Sequence, residues 1–220
     1  MKTIYRDHVI YYEIDGSGEP ILFLHGNQES LTIFDELTNT LKEHFSVYRM
    51  DSRHHGKSGS KGPLNYTVLR DDLCGFIHAL GLYKPHVLGF SDGGIAAMMA
   101  EIQYPGLFRS MTLLGVNTRP KGIRHKERQT IQHEFSITKN KYDRMMLKGP
   151  FITKKNLRAI TCPVLLVSGE NDVILESHTK MIHRHLQHSV WLKIMGHDHG
   201  SYLIHQDILA NDLLLFLKKT

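Results

Sequence analysis

Pro85-His86-Val87-Leu88-Gly89-Phe90-Ser91-Asp92-Gly93-Gly94 is the stretch on which the fold turns. A short apolar run enters it, and the helical pattern Gly94–Tyr104 leaves it. Between the two stands Gly-x-Ser-x-Gly, whose glycines allow a sharp strand-to-helix turn to pass close to neighbouring backbone and lift a serine hydroxyl out of a sheet. The pentapeptide alone is weak evidence, since a glycine-rich turn can carry an incidental serine. Its setting of strand before and helix after makes Ser91 the candidate nucleophile, with a helix N-terminus beside it.

Further apolar runs bounded by turn residues occur at Ile21–Leu24, Ser46–Met50, Met111–Leu114 and Val164–Val167, and more weakly at Val190–Met195. Such runs fit strands buried on both faces of a mainly parallel sheet. Helical periodicity fills the gaps at Leu31–Phe45, Tyr66–Leu80, Ser177–His188 and Gln206–Lys218. Two β-rich stretches, Thr3–Arg6 and Val9–Ile14, open the chain as a hairpin. The alternation predicts a doubly wound α/β sheet with helices on both faces, and chemistry in the loops beyond the strands' carboxyl ends.

A serine hydroxyl needs a base, and the base needs a carboxylate to orient it. Asp172 follows the run Val164–Val167 in Ser168-Gly169-Glu170-Asn171-Asp172, with Glu170 as the reserve carboxylate. A turn or N-cap aspartate is the competing reading of Asp172. His199 lies in Gly196-His197-Asp198-His199-Gly200 after the last run and is preferred to His197 as the base. Stabilising an oxyanion takes preorganised N–H donors. The amide of Asp92, directly after the serine, is one candidate, and the amide of Asn27 in His25-Gly26-Asn27 is the other. Gly26 lets that loop approach, and His25 is read as a supporting loop residue.

The set His25-Gly26-Asn27, Asp51-Ser52-Arg53-His54-His55-Gly56-Lys57-Ser58, Gly89-Phe90-Ser91-Asp92-Gly93-Gly94, Gly169-Glu170-Asn171-Asp172 and the His199 loop closely resembles the α/β-hydrolase family in order and spacing. The resemblance implies the α/β-hydrolase fold: eight mostly parallel strands, the second antiparallel, helices on both faces, and a Ser–Asp–His triad. The chain looks most like small bacterial serine esterases. His54 stands where the family usually has glycine. Dehalogenases and epoxide hydrolases of the family carry an aspartate at the elbow, where this chain has Ser91.

Composition sets the remaining bounds. At 220 residues with 41% hydrophobic content, the chain suits one domain. Residues 1–117 and 159–220 are expected to form its core, and 118–158 an inserted helical cap. That insert carries twelve Lys or Arg against three acids, so a chain of net charge +5 is a mildly acidic body with a basic insert. The charge admits an anionic substrate, such as an acyl thioester, but a solvated basic face is the plainer account. Nucleic acid is not expected as a partner, for want of aromatic platforms or a DNA-binding motif. No membrane span or signal segment is seen, so a cytoplasmic protein is expected. Two cysteines make no disulfide framework, and the sixteen histidines lack metal-ligand spacing. The reading needs no cofactor and no metal, and nothing in the sequence bears on oligomeric state. The expected activity is cleavage of a carboxylic ester or related acyl bond. The alternatives are an acyl thioesterase acting on an anionic substrate, or a non-catalytic small-molecule binder.

Overall fold

A computed structural model describes residues 1–5 and 8–220. The expected strand Thr3–Arg6 ends on Arg6, which lies outside the described residues; the backbone before it forms β1 (Lys2–Tyr5). The other strands are β2 (His8–Asp15), β3 (Glu19–Leu24), β4 (Phe45–Met50), β5 (His86–Phe90), β6 (Met111–Leu114), β7 (Val164–Gly169) and β8 (Ser189–Ile194). They make one sheet in the order β1-β2-β4-β3-β5-β6-β7-β8. β2 is antiparallel to both its neighbours, and every pairing from β4 onward is parallel.

Helices α1 (Asp35–Leu41), α2 (Tyr66–Ala79), α3 (Asp92–Gln103), α4 (His125–Thr138), α5 (Lys141–Lys148), α6 (Lys154–Arg158), α7 (Glu176–His185) and α8 (Ala210–Leu217) connect and cover the strands. The period-2 alternation of strand side chains divides the core. Leu22 and Leu24 of β3 and Val164 and Leu166 of β7 pack with Leu73, Phe76, Ala97 and Ile182 from α2, α3 and α7. Ile21, Phe23, Leu165 and Val167 point the other way, onto Leu37, Leu41, Leu213 and Leu217 of α1 and α8. The parallel strands are therefore covered on both sides, which is why they read as unbroken apolar runs.

Two boundaries differ from expectation. The pattern over Leu31–Phe45 resolves into a 3-10 turn at Leu31–Phe34, the short α1, and then Phe45 as the first residue of β4. α3 begins at Asp92 rather than Gly94, directly on the serine. Between β6 and β7, residues 118–158 carry a 3-10 turn at Pro120–Gly122 and the helices α4, α5 and α6. α4 buries none of its residues, and even Ile137 is exposed.

Candidate active site

Ser91 joins β5 to α3 with φ 50° and ψ −114°, a conformation L-residues hold only at a cost of about 1–3 kcal/mol when their surroundings enforce it. The surroundings do so by close packing. A Cβ on Gly89 would lie 2.5 Å from Gly94 Cα, and one on Gly93 would lie 2.4 Å from the Leu24 carbonyl oxygen. The Ser91 N–H donates to Leu114 O at 2.8 Å, tying the turn to β6. The serine side chain is left partly exposed at the sheet's carboxyl edge.

His199 Nε2 lies 3.1 Å from Ser91 Oγ, and His199 Nδ1 lies 2.7 Å from Asp172 Oδ1. Asp172 is buried beyond β7, where its Oδ1 also accepts the Ile174 N–H at 2.9 Å. With Nδ1–H donating to the carboxylate, Nε2 presents a lone pair to the hydroxyl. His197 is turned elsewhere: its Nδ1 lies 3.2 Å from Ser201 Oγ. Glu170 is also apart, its Oε2 accepting the Gly196 N–H at 2.9 Å. Gly115, which sequence reasoning passed over, makes room for His199. It has φ +58°, and a Cβ there would stand 2.6 Å from His199 Cε1. Its one signal is a glycine directly after the run Met111–Leu114.

The loop after β3 is anchored by its own histidine. His25, fully buried, accepts the Ser52 N–H on Nε2 at 2.9 Å, so its Nδ1 donates to Gly26 O at 2.7 Å. Burial, with His55 nearby, pushes the His25 pKa down to about 3, which keeps the ring neutral. The Gly26 N–H donates to Glu29 Oε2 at 2.8 Å and the Gln28 N–H to His55 Nε2 at 3.0 Å. Among the described residues the Asn27 N–H between them has no protein acceptor, and neither does the Asp92 N–H at the start of α3. Both residues line the same cavity as Ser91.

That cavity has a volume of about 260 Å³, with Phe90, Ile123, Ile131, Met146 and Val173 as apolar walls. Among the described residues its carboxyl lining is Glu29, Asp92 and Glu127, and no Lys or Arg joins them. The basic character of residues 118–158 therefore does not reach the serine. Burial raises Asp92 to about 6, partly opposed by the Tyr66 hydroxyl, which donates to its Oδ1 at 2.7 Å. Among the described residues Asp92 Oδ2 has no hydrogen-bond partner. Burial likewise raises Glu29 to about 7, partly opposed by its bond from Gly26. Neither carboxylate was singled out from sequence, although Glu29 is two residues from Asn27.

A carboxyl with a raised folded pKa binds its proton more tightly when folded than unfolded. Stability is then lost as pH rises from the unfolded value of 4.5 through about 7. Glu29→Gln keeps an acceptor for Gly26 and removes the buried charge. Urea unfolding should find it more stable than the parent at pH 8, by at most about 3 kcal/mol. Near pH 4 the two proteins should converge. A variant no more stable at pH 8 would show that Glu29 ionises without penalty.

The Asp51–Ser58 segment braces this loop. Asp51 accepts the Leu31 and Lys57 N–H groups, both at 2.8 Å, and Arg53 forms a buried two-pronged pair with Asp72. His54 takes φ +65°, the left-handed region that a glycine enters freely. Its ring bonds Gly62 O and Lys141 Nζ, and its carbonyl accepts the Tyr142 hydroxyl at 2.6 Å. The residue that departs from the usual pattern thus docks α5. Among the described residues no group of three His, Cys, Asp or Glu is placed to hold a metal ion, and no helix is long and apolar enough to cross a membrane.

Comparison with known proteins places these features in a family. The family model described as alpha/beta hydrolase fold matches residues 19–133, more than half of the chain. Among curated proteins, the chain is 34% identical to ethanol acetyltransferase 1 of Cyberlindnera jadinii over 98 residues, 44% of this chain and 29% of that one. The matched part spans about a third or less of the length of such relatives. Among solved structures, the esterase of Exiguobacterium antarcticum superposes with a TM-score of 0.81 at 20% identity, covering 96% of both chains. The N-acyl homoserine lactone degrading enzyme Est816 gives 0.83 at 20% identity, covering 98% of this chain and 100% of that one. At these identities the superpositions speak for the fold, and the matched family model speaks for descent: the chain belongs to the α/β-hydrolase family.

Proposed function

We propose that this protein is a serine hydrolase that cleaves a carboxylic ester or a related acyl bond. The supporting observation is the hydrogen-bonded chain from Ser91 Oγ through His199 to buried Asp172, at 3.1 and 2.7 Å. In this reading His199 Nε2 takes the hydroxyl proton as Ser91 Oγ attacks the acyl carbon. Asp172 holds the ring in its Nδ1–H form and stabilises the imidazolium. The free amides of Asn27 and Asp92 receive the oxyanion, and their neighbours' engagement elsewhere leaves these two N–H groups for that task. The imidazolium returns its proton to the departing alcohol, leaving an acyl-Ser91 ester. A water deprotonated by His199 then releases the acid and restores the hydroxyl. Residues 118–158 act as a cap over the core, with α4 contributing Glu127 and Ile131 to the cavity wall.

A second reading, transfer of the acyl group from Ser91 to an alcohol instead of water, has the identity to an ethanol acetyltransferase in its favour. The two share the acyl-enzyme and differ in the second nucleophile, so product analysis with added ethanol separates them.

A fluorophosphonate probe tests the common step. The native chain should be labelled covalently at Ser91, and Ser91→Ala should not be labelled. A native protein that resists labelling would instead be a small-molecule binder built on this fold.

A further inference from the structure

A second and larger cavity, of about 620 Å³, lies on the other side of Tyr66 from the serine. Tyr66 lines both cavities, so the two share a wall. The charge of the second is the reverse of the first: among the described residues Lys141, Arg144 and Lys148 line it, and no acid does. These residues stand at i, i+3 and i+7 of α5 and so share one helix face. The one acid of that helix, Asp143, is buried on another side and held by Asn140. Lys141 bonds a neutral acceptor, His54 Nδ1, at 2.8 Å. Among the described residues Arg144 and Lys148 have no carboxylate partner. Three aligned cations therefore repel one another around an open space, with no carboxylate among the described residues paired to them. A further hollow, lined by Arg119, Lys121, Lys154 and Lys155, shares no residue with the serine cavity and so offers no route to it.

We propose that the cavity beneath Lys141, Arg144 and Lys148 holds the phosphate or carboxylate of a substrate's leaving group while its acyl carbon reaches Ser91 past Tyr66. The substrate is then an acyl ester or thioester with an anionic tail, an identification that rests on the serine-hydrolase reading. The acyl part meets the small, acid-lined cavity and the tail meets the basic one. An anionic acyl group is disfavoured because, among the described residues, the cavity around Ser91 offers it no Lys or Arg.

Two acetyl thioesters test this, one of pantetheine and one of 4′-phosphopantetheine, which carry the same acyl group and the same arm and differ only in a phosphate. The native chain should show a KM for the phosphorylated thioester at least about tenfold below that for the neutral one, a gap that shrinks with added salt. In Arg144→Gln/Lys148→Gln the gap should close, with kcat for the neutral thioester unchanged. Binding is read separately, as the rise in melting temperature that inorganic pyrophosphate gives the native chain and not the double variant. Equal KM values with no pyrophosphate effect would overturn the site and leave the hydrolase reading standing. Pyrophosphate binding that the variant loses, without hydrolysis of either thioester, would support the site and count against that reading. Binding combined with equal KM values would make it a site for a free anion and overturn the assignment to the substrate.

Discussion

Alanine at His199 is expected to lower kcat/KM for a simple ester about 10⁴-fold, whereas alanine at His197 should leave it within about threefold. The two imidazoles are separated by one residue, and sequence alone ranks them only weakly. Geometry separates them because Gly200 and Ser201 pull the loop into a turn around Asp198, whose carboxylate accepts both of their N–H groups. That turn sends His199 inward, over Phe90 and into the space above Gly115. His197 stays outside, beside Ser201 and the edge of Tyr202. A loss of about 10⁴ corresponds to about 5 kcal/mol of barrier, the scale of removing a proton acceptor and not of disturbing a loop. Steady-state kinetics on a p-nitrophenyl ester decide the matter. Equal losses in the two variants would mean that both rings serve the reaction, and a loss confined to His197→Ala would exchange their roles.

The fold was legible because its signals are short-range. A strand buried on both faces must be apolar throughout, and a strand-to-helix turn as tight as that at Ser91 needs Gly89, Gly93 and Gly94 around it. Neither demand depends on distant sequence. The positions of Asp172 and His199 were also legible, since each follows an apolar run and so lies at the same edge of the sheet. What escaped was set by contacts across the chain. Gly115 matters only because His199, from a loop eighty-odd residues later, comes to lie over it. Glu29 and Asp92 look like ordinary loop and helix-start acids until folding takes them out of water, which raises both. The basic insert shows the same limit. Its composition pointed to a positive field, but composition does not say which cavity the charges line. Helical phase does, and it puts Lys141, Arg144 and Lys148 on the far side of Tyr66 from Ser91.

Asp172→Asn should reduce kcat by about 10⁴ with little change in KM, although it removes no heavy atom from the site. The carboxylate is almost wholly buried, and its Oδ1 serves both His199 Nδ1 and the Ile174 N–H. Its Oδ2 faces the Gly169 N–H at 3.4 Å. Every neighbour is therefore a donor, and a carboxylate accepts from all of them. An asparagine has to turn its NH₂ towards one side. Facing Gly169, it opposes one N–H against another, and the carbonyl left at His199 carries no charge to stabilise the imidazolium. Facing His199, it forces the ring to accept on Nδ1 and to carry its proton on Nε2, where it can no longer take one from Ser91. Either orientation disables the base. The backbone of the loop should hold, because Arg124 Nε donates to the Asp172 carbonyl at 2.6 Å independently of the side chain. A folded protein by circular dichroism, with kcat collapsed and KM retained, is thus the expected result. Glu170→Gln is the matched control: its carboxylate bonds Gly196 and does not meet His199, so activity should stay within about threefold. If the control fell as far as Asp172→Asn, the carboxylate that orients the base would have to be reassigned.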